Sequence, residues 1–503
     1  MSDGDGNDWG PVLGDLAERR LAAQSMGGAE KLAKREASGA LDARSRLAAL
    51  LDDGSFIEIG SLTGPLPADA FIAGIGTIDG RPVAAGAEDF TVAGGSIGAG
   101  ASSKRYRLAE LARQERMPLV TLLEGAGHRP PLPGDPPSKR GPNDLQAQAE
   151  ASGYIPMATA VMGPSAGHGA LTAPLSDFTV MTDAASIFTA GPPLVKASIG
   201  EDLTKEELGG PQIALASGVI HNRAADDLEA LAQIRRWLAF LPNSAWEHPP
   251  GPNADGPDTG PRPVSALTDL VPRNPRRAYD MAAVIAEVVD AGSWFEVQPE
   301  FGASLLTGLA RLGGQSVAIV ANQPLVRAGT IDVDAADKAA HFVQVADSFH
   351  MPLLFLTDNP GVMAGSAAER AGILRHAGRM FAAQHAATVP KIQLTLRKAY
   401  GFGSSAMGMN PFDNQTLNLA FPGVTFGAMP SRGADDATNA DEAGRAALRE
   451  AELASGYRSA EGLSVDDLIE PAQTRNMILA GLRTSANRRN TPAAPKGRVG
   501  NLC

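Results

Sequence analysis

An internal repeat at a constant spacing of 234 residues constrains the fold of this chain more than any other feature. Met117-Pro118-Leu119 recurs as Met351-Pro352-Leu353, and Lys104 recurs as Lys338. The same spacing relates single glycines and a proline in the two halves: Gly74 and Gly308, Gly127 and Gly361, Pro156 and Pro390, Gly167 and Gly401, Gly169 and Gly403. Because one offset holds across about a hundred residues, the sequence predicts two homologous domains and not a solenoid of short repeats.

A segment rich in proline and glycine lies between the two copies. Residues 248–263 read HPPGPNADGPDTGPRP, a composition that suits neither a helix nor a central strand. We therefore expect an N-terminal domain over residues 1–250, a linker over 251–263 and a C-terminal domain over 264–503.

Each copy alternates short apolar runs with helical patterns. In the first copy, residues 118–123 and 157–162 are apolar runs of strand length, and 104–116 has helical spacing. This alternation predicts an α/β fold with parallel strands joined by crossover helices, with the site at the carboxyl ends of the strands. The second copy repeats the pattern at residues 317–321, 338–350, 352–357 and 391–396.

Composition excludes several classes of protein. A net charge of −12 argues against a nucleic-acid partner, because phosphates need a basic surface. The single cysteine, Cys503, excludes a disulfide framework, a cysteine-ligated zinc site and a buried thiol nucleophile. No apolar run approaches the ~20 residues of a membrane span, and residues 1–5 lack the pattern of a signal peptide. We expect a cytoplasmic protein without a metal site or a membrane partner.

Two loops rich in small residues follow the predicted strands of each copy. They span residues 124–128 and 163–169 in the first half, and 358–362 and 397–403 in the second. Small residues leave backbone N–H groups accessible, and two such groups can stabilise one developing oxyanion. A helix that starts after the loop adds its dipole. Four loops at matched positions favour two oxyanion sites, and so two carbonyl-containing partners, over simple tight turns.

The loops contain no recognisable catalytic side-chain motif. The sequence has no nucleophile elbow, no His-Glu-x-x-His zinc motif and no phosphate-binding loop. Two histidines, His128 and His168, lie in the loops. Both a structural and a catalytic role remain open for them.

The chain resembles the carboxyltransferase (β) subunit of biotin-dependent acyl-CoA carboxylases, such as propionyl-CoA carboxylase. The similarity covers nearly the whole sequence and includes residues 76–83, 163–167, 201–210, 358–361, 397–401 and 469–471. It implies two tandem crotonase-like domains of the ClpP/crotonase superfamily. It also implies a transferase or ligase of fatty acid metabolism, which moves a carboxyl group from carboxybiotin to the α-carbon of an acyl-CoA through an enolate.

By motif position, the resemblance assigns the catalytic backbone groups. A first oxyanion hole falls on Gly167 and His168 and faces the thioester. A second falls on Phe402 and Gly403 and faces the ureido oxygen of biotin. The family commonly has glycine where this chain has His168 and Phe402, so we expect these two side chains to occupy space in the site.

The resemblance also suggests residues that bind substrate. Gly127 and Gly361 lie in the first loop of each half, and Lys104 is a candidate for contact with the phosphates of coenzyme A. Ser405 replaces an aspartate that helps to select short acyl chains in propionyl-type members. We therefore expect an acyl group other than propionyl.

The chain contains no biotinyl-lysine pattern and no ATP-binding half. Biotin must then be carried by a partner, a biotin carboxylase or biotin carboxyl carrier subunit, and coenzyme A enters as part of the substrate. The resemblance implies a homo-oligomer, a hexamer, with each site between the first domain of one subunit and the second domain of another. Two alternatives remain open: an acyl-CoA decarboxylase on the same scaffold, and a noncatalytic scaffold subunit of a carboxylase complex.

Overall fold

The computed structural model describes residues 9–130, 141, 143–251, 258–410, 412–431, 434, 438, 440–489 and 493–496. The chain divides into two compact units, Met1–Arg236 and Trp237–Cys503. The domain boundary at residue 250 stays a prediction, and most of the predicted linker lies outside the described residues. Cys503, on which part of the sequence argument rests, also lies outside them.

The first unit is built on an eight-stranded sheet. Its strands lie in the order β1-β2-β3-β4-β5-β6-β8, and β7 pairs with the end of β5. The strands are β1 Ile57–Ile59, β2 Phe71–Ile78, β3 Arg81–Glu88, β4 Leu119–Gly125, β5 Met157–Ala166, β6 Phe178–Thr182, β7 Ser186–Phe188 and β8 Asn222–Ala224. Every residue of β4 is buried, as is usual for a central parallel strand with both faces covered.

Helices cover this sheet. They are α1 Gly10–Gln24, α2 Ala29–Ala37, α3 Ala43–Leu50, α4 Ala99–Gln114, α5 Asp144–Ala151, α6 Gly167–Ala170, α7 Pro192–Ile199, α8 Lys205–Gly209, α9 Pro211–Ala216 and α10 Asp227–Leu238. Helix α4 turns Ala101, Leu108 and Ala112 into the core, where they meet Ala147 and Ala151 of α5. The helical spacing predicted for residues 104–116 is confirmed, and the helix begins one turn earlier.

The second unit repeats the layout with another eight-stranded sheet, in the order β16-β14-β13-β12-β11-β10-β9, with β15 paired to β13. The strands are β9 Phe295–Val297, β10 Leu305–Leu312, β11 Gln315–Asn322, β12 Leu353–Asn359, β13 Lys391–Tyr400, β14 Gln415–Ala420, β15 Thr425–Gly427 and β16 Asp467–Leu468. The helices are α11 Leu267–Leu270, α12 Met281–Val288, α13 Val333–Ser348, α14 Ser366–Arg370, α15 Ile373–Ala386, α16 Gly401–Ala406, α17 Glu442–Leu453, α18 Ser455–Glu461, α19 Thr474–Thr484 and α20 Ala486–Arg489.

The repeat in the sequence is a repeat in the structure. Helix α13 and strands β10 to β13 begin and end 234 residues after α4 and β2 to β5. The pairing partners follow the same offset, since Ala84 lies beside Leu119 and Ala318 beside Leu353. The predicted tandem α/β architecture is confirmed.

The predicted parallel pairing is confirmed for the central strands, but each sheet also has an antiparallel edge that the sequence did not predict. Strands β1, β2 and β3 pair antiparallel, and so do β9, β10 and β11. Strands β2 and β3 are joined by the two-residue turn Asp79-Gly80, in which both residues have positive φ, 50° and 74°. A turn of this kind matches the twist of paired antiparallel strands, so it forms a hairpin and not a crossover.

Within the described residues, no helix is both long enough and apolar enough to cross a membrane.

Alanine at Gly308 tests the close approach that the repeat requires between β9 and β10. A Cβ there would lie 2.5 Å from the Phe295 carbonyl oxygen and 2.5 Å from the Trp294 ring. Because the backbone carbonyl and the Trp294 ring leave no room for a Cβ, we expect Gly308→Ala to cost about 2 kcal/mol. Gly378→Ala in helix α15, where a Cβ meets nothing within 4 Å, should stabilise by about 0.5–1 kcal/mol. Thermal unfolding of both variants measures the contrast, and equal transitions would contradict it.

Candidate functional site

The second loop predicted in each half is shorter in the structure. Residues 163–166 continue strand β5 and residues 397–400 continue β13, because β7 and β15 pair with these ends. Helices α6 and α16 then begin directly at Gly167 and Gly401. The candidate residues therefore lie at strand-to-helix junctions.

Glycine is required at both junctions by the backbone conformation. Gly167 has a φ of 60° and Gly401 a φ of 58°, the left-handed region that residues with a Cβ seldom adopt. The turn changes the chain from strand to helix within one residue. The first N–H groups of a helix have no acceptor inside it, so the backbone donors of His168 and Phe402 are available to a ligand.

In the first unit, the segment after β4 meets this junction. Gly127 has a φ of 80°, and a Cβ on it would lie 2.9 Å from the Ala166 carbonyl oxygen. A Cβ on Gly167 would lie 4.0 Å from the Gly127 Cα. The structure thus brings Gly127, Gly167 and His168 together, as the sequence predicted for two loops that converge.

The second unit has the same arrangement around Gly403. A Cβ on Gly403 would lie 3.0 Å from the Gly361 Cα and 2.5 Å from Asn359 Nδ2. The Asn359 side chain is fully buried, and its Oδ1 accepts a 2.8 Å hydrogen bond from the Gly361 N–H. Its Nδ2 has no hydrogen-bond partner among the described residues. A buried amide donor without a partner is costly unless a ligand completes it.

Two further predicted residues lie on α16. Phe402 is 46% exposed, and its ring packs on Phe381 with the centroids 5.5 Å apart. Ser405 is partly buried, and its carbonyl oxygen accepts a hydrogen bond from Asn410 Nδ2 at 3.0 Å. Helix α16 therefore places an aromatic ring and a hydroxyl-bearing residue on the same short element as Gly403.

Lys104 lies in the interior of the first unit. Its side chain is buried, with the residue 4% exposed, and its ammonium group donates to the carbonyl oxygens of Ala68 and Phe71. Burial lowers its pKa to about 8. Its counterpart Lys338 donates to the carbonyl oxygens of Phe301 and Leu305 at 2.9 and 2.8 Å. This placement favours a structural role over the predicted contact with coenzyme A phosphates, because internal carbonyls already hold the charge.

A network of hydrogen-bonded polar side chains connects His168 to the interior of the first unit, and no pattern in the sequence indicated it. His168 Nε2 lies 2.6 Å from Asp144 Oδ1, and Asp144 Oδ2 accepts from Arg105 Nε at 2.7 Å. Arg105 Nη1 donates to Glu88 Oε1 at 3.0 Å. Burial raises the pKa of Asp144, but the hydrogen bond from His168 and the Arg105 charge more than offset it and hold the pKa well below its ordinary value. The His128 ring lies against His168, with centroids 4.6 Å apart.

A carboxylate lies near the carboxyl end of β4, the neighbour of β5, and another lies at the matching position of β12, the neighbour of β13. Glu124 is bound by Arg46, with Nη1 at 2.5 Å, and Asp358 by Arg397, with Nε at 2.6 Å. Both carboxylates are buried, and a buried carboxylate persists as a charge when a cation faces it. These pairs hold the strand ends beside the junctions.

The described residues contain no group of three or more His, Cys, Asp or Glu side chains arranged to hold a metal ion. What the two sites share is a set of backbone N–H donors at a glycine turn, which suits a developing oxyanion.

Comparison with known proteins gives one consistent family. The carboxyl transferase domain model matches residues 34–499. The chain is 37% identical to the methylmalonyl-CoA decarboxylase subunit alpha of Veillonella parvula, over 96% of this chain and 97% of that protein. It is 36% identical to the propionyl-CoA carboxylase carboxyltransferase subunit of Haloferax mediterranei, over 97% and 98%.

Solved structures agree. The crystal structure of transcarboxylase 12S, a hexamer with hydrolysed methylmalonyl-coenzyme A bound, matches with a TM-score of 0.89 and 36% identity, over 98% of this chain and 99% of that one. The resemblance drawn from the sequence and the tandem crotonase-like fold that it implied are both confirmed.

Replacement of Lys104 by methionine distinguishes a structural role from a contact with the phosphates of coenzyme A. The variant leaves two buried carbonyl groups without their donor, so we expect a loss of about 3 kcal/mol in stability. The exposed Lys34→Met on α2 should change stability by less than about 0.5 kcal/mol. Urea unfolding gives the stability, and coenzyme A binding to the folded fraction should stay unchanged. Normal stability with lost coenzyme A binding would restore the phosphate-binding role.

Proposed function

The chain belongs to the carboxyl transferase family, and from that premise we propose that it transfers a carboxyl group between carboxybiotin and the α-carbon of an acyl-CoA. The observation that carries this proposal is the duplicated junction. Each unit presents first-turn N–H groups after a left-handed glycine, at Gly167 and at Gly401. Two oxyanion sites suit a reaction in which two carbonyl groups gain negative charge.

In the first unit, we assign the enolate oxygen of the acyl thioester to the N–H groups of Gly167 and His168. Removal of an α-proton from a thioester moves negative charge onto its oxygen. Fixed N–H donors stabilise that charge without reorganising during the step. The glycine at position 127 keeps the space in front of these donors free of a side chain.

In the second unit, we assign a carbonyl oxygen of the biotin ureido ring to the N–H groups of Phe402 and Gly403. Biotin, when bound, supplies the carboxyl group and the base that accepts the α-proton. The residues present fit such a group, because the buried Asn359 Nδ2 beside Gly403 has no partner in the described chain and needs an acceptor. The protein then contributes position and electrostatic stabilisation.

We propose that biotin arrives on a partner, a biotin carboxylase or carrier subunit, and that the chain assembles as a hexamer. Its relative transcarboxylase 12S is a hexamer, and the match covers nearly all of both chains. The exposed Phe402 ring and Ser405 lie next to the second site and support an acyl group other than propionyl.

Decarboxylation on the same scaffold is a second candidate. The 37% identity to a methylmalonyl-CoA decarboxylase subunit favours it. The enolate is common to both directions, so the same N–H donors would serve a carboxylated thioester that loses its carboxyl group.

One assay separates these functions. The purified chain is incubated with a biotinylated carrier, biotin carboxylase, ATP, bicarbonate and a panel of acyl-CoAs. Carboxylation of a thioester supports the first function. Loss of CO2 from a dicarboxylic acyl-CoA without ATP supports decarboxylation. Stable binding to a carboxylase partner without turnover identifies a scaffold subunit and rejects both.

Proline at Phe402 tests the second oxyanion site. Proline fits the first turn of a helix and removes one N–H group. We expect Phe402→Pro to lower kcat at least about 100-fold. Phe402→Ala removes the same ring but keeps the N–H group, so its kcat should fall less than about threefold.

This pair is preferable to a proline at Gly403, where a Cβ would already lie 2.5 Å from Asn359 Nδ2. Both variants should elute as the wild-type oligomer. Similar kcat values for Phe402→Pro and Phe402→Ala would refute the role of this N–H group.

A further inference from the structure

The two units have the same backbone at the glycine junctions, but the side chains beside the junctions differ. In the first unit, His128, His168, Asp144, Arg105 and Glu88 form a continuous set of contacts beside the glycine junction. The residues 234 positions later lack this chemistry almost entirely: Val362, Phe402, Gly378, Ala339 and Asn322. The second unit forms the same strands and helices without these groups. The fold therefore does not require them, and a role in the first site accounts for them better.

The contacts fix the orientation of the His168 ring. Asp144 is ionised and can only accept hydrogen bonds, so His168 Nε2 carries the proton that points to it. Nδ1 is the remaining nitrogen. It is bonded to Cγ and takes no part in the contact with Asp144. Arg105 binds the other oxygen of Asp144, Oδ2. Arg105 is itself held by Thr172, because its Nη2 donates to Thr172 Oγ1 at 2.9 Å.

Buried charged groups lie behind the His168 ring. Glu88 and Asp144 are two carboxylates that face one guanidinium, that of Arg105. Glu88 accepts at both oxygens, from Arg105 Nη1 and from the Glu124 N–H at 2.8 Å. Burial nevertheless raises the pKa of the Glu88 carboxyl. The charged and titratable groups around His168 in the described chain are Asp144 from α5, Arg105 from α4, Glu88 from β3 and His128 from the segment after β4.

The rings of His168 and His128 are both accessible to solvent. The His168 side chain is 18% exposed and His128 is exposed. Their rings are tilted by 47° and lie beside Gly127 and Gly167, which bear no side chain to cover them. Two imidazoles beside the glycine junction form a hydrogen-bonding surface at the place proposed for the acyl group.

We propose that His168 and His128 bind the carboxylate on the α-carbon of a carboxylated acyl-CoA, and so select the carboxylated over the uncarboxylated thioester. This inference rests on the proposed function, because it assumes that the acyl thioester binds at the first unit. A charge-assisted hydrogen bond to a carboxylate is worth enough for about a tenfold preference.

Binding in the absence of any biotin-bearing partner tests the proposal. Methylmalonyl-CoA and propionyl-CoA differ only by the α-carboxylate, so their dissociation constants isolate its contribution. We expect the full chain to bind methylmalonyl-CoA about tenfold more tightly than propionyl-CoA. His168→Gln, which can still donate to Asp144 but has no imidazole ring, should bring the ratio to within about twofold. His128→Gln should reduce it partly.

His376→Gln is the matched control. His376 Nδ1 pairs with Asp337 at 2.7 Å on helices α15 and α13 of the second unit. The variant loses an imidazole–carboxylate pair and should keep the tenfold ratio.

Each outcome is decisive. Equal affinity of the wild type for the two thioesters overturns the proposal, and if neither thioester binds, the same comparison of malonyl-CoA with acetyl-CoA decides it. So does an unchanged ratio in His168→Gln. Equal loss for both thioesters would assign the histidines to the coenzyme A phosphates instead. If His168→Gln does not fold, the ratio in His128→Gln decides. Selective binding together with failed carboxyl transfer would reject the proposed function and leave carboxylate recognition standing.

Discussion

The site geometry depends on a backbone constraint, the left-handed glycine that ends a buried strand and starts a helix in the next residue. At Gly167 and Gly401 this turn leaves donors without acceptors inside the helix. Neighbouring strands and buried ion pairs stabilise this turn. Short strands β7 and β15 hold the strands extended up to the turn, and buried arginines neutralise Glu124 and Asp358 on the neighbouring strands. A residue with a Cβ at either glycine would strain the backbone from which the donors project.

The sequence was informative where one physical requirement recurs in both copies. The offset of 234 residues predicted the paired helices α4 and α13 and the central strands, because these segments bury the same faces. It did not predict strand direction at the sheet edge. The signal was present in Asp79-Gly80, a pair that favours a hairpin turn, but the apolar runs on either side are equally compatible with crossover connections.

Buried charges account for most of what the sequence could not predict. Periodicity arguments assign lysine and arginine to the exposed side of a helix, yet Lys104 and Arg105 of α4 are both buried in the first unit. Lys104 can lie there because two carbonyl groups meet its ammonium, and Arg105 because two carboxylates meet its guanidinium. Their partners lie 17 to 39 residues away, in other segments of the first unit. No pattern within a single helix contains that information.

The duplicated junction also separates what must stay constant from what is free to vary. Because the donors at His168 and Phe402 belong to the backbone, an imidazole and a phenyl ring occupy equivalent positions without altering them. Under the roles we propose, reaction chemistry and substrate choice reside in different atoms of the same residue. A chain built in this way can acquire a new acyl-CoA preference through side-chain replacement alone, while the turn that positions its amides remains untouched.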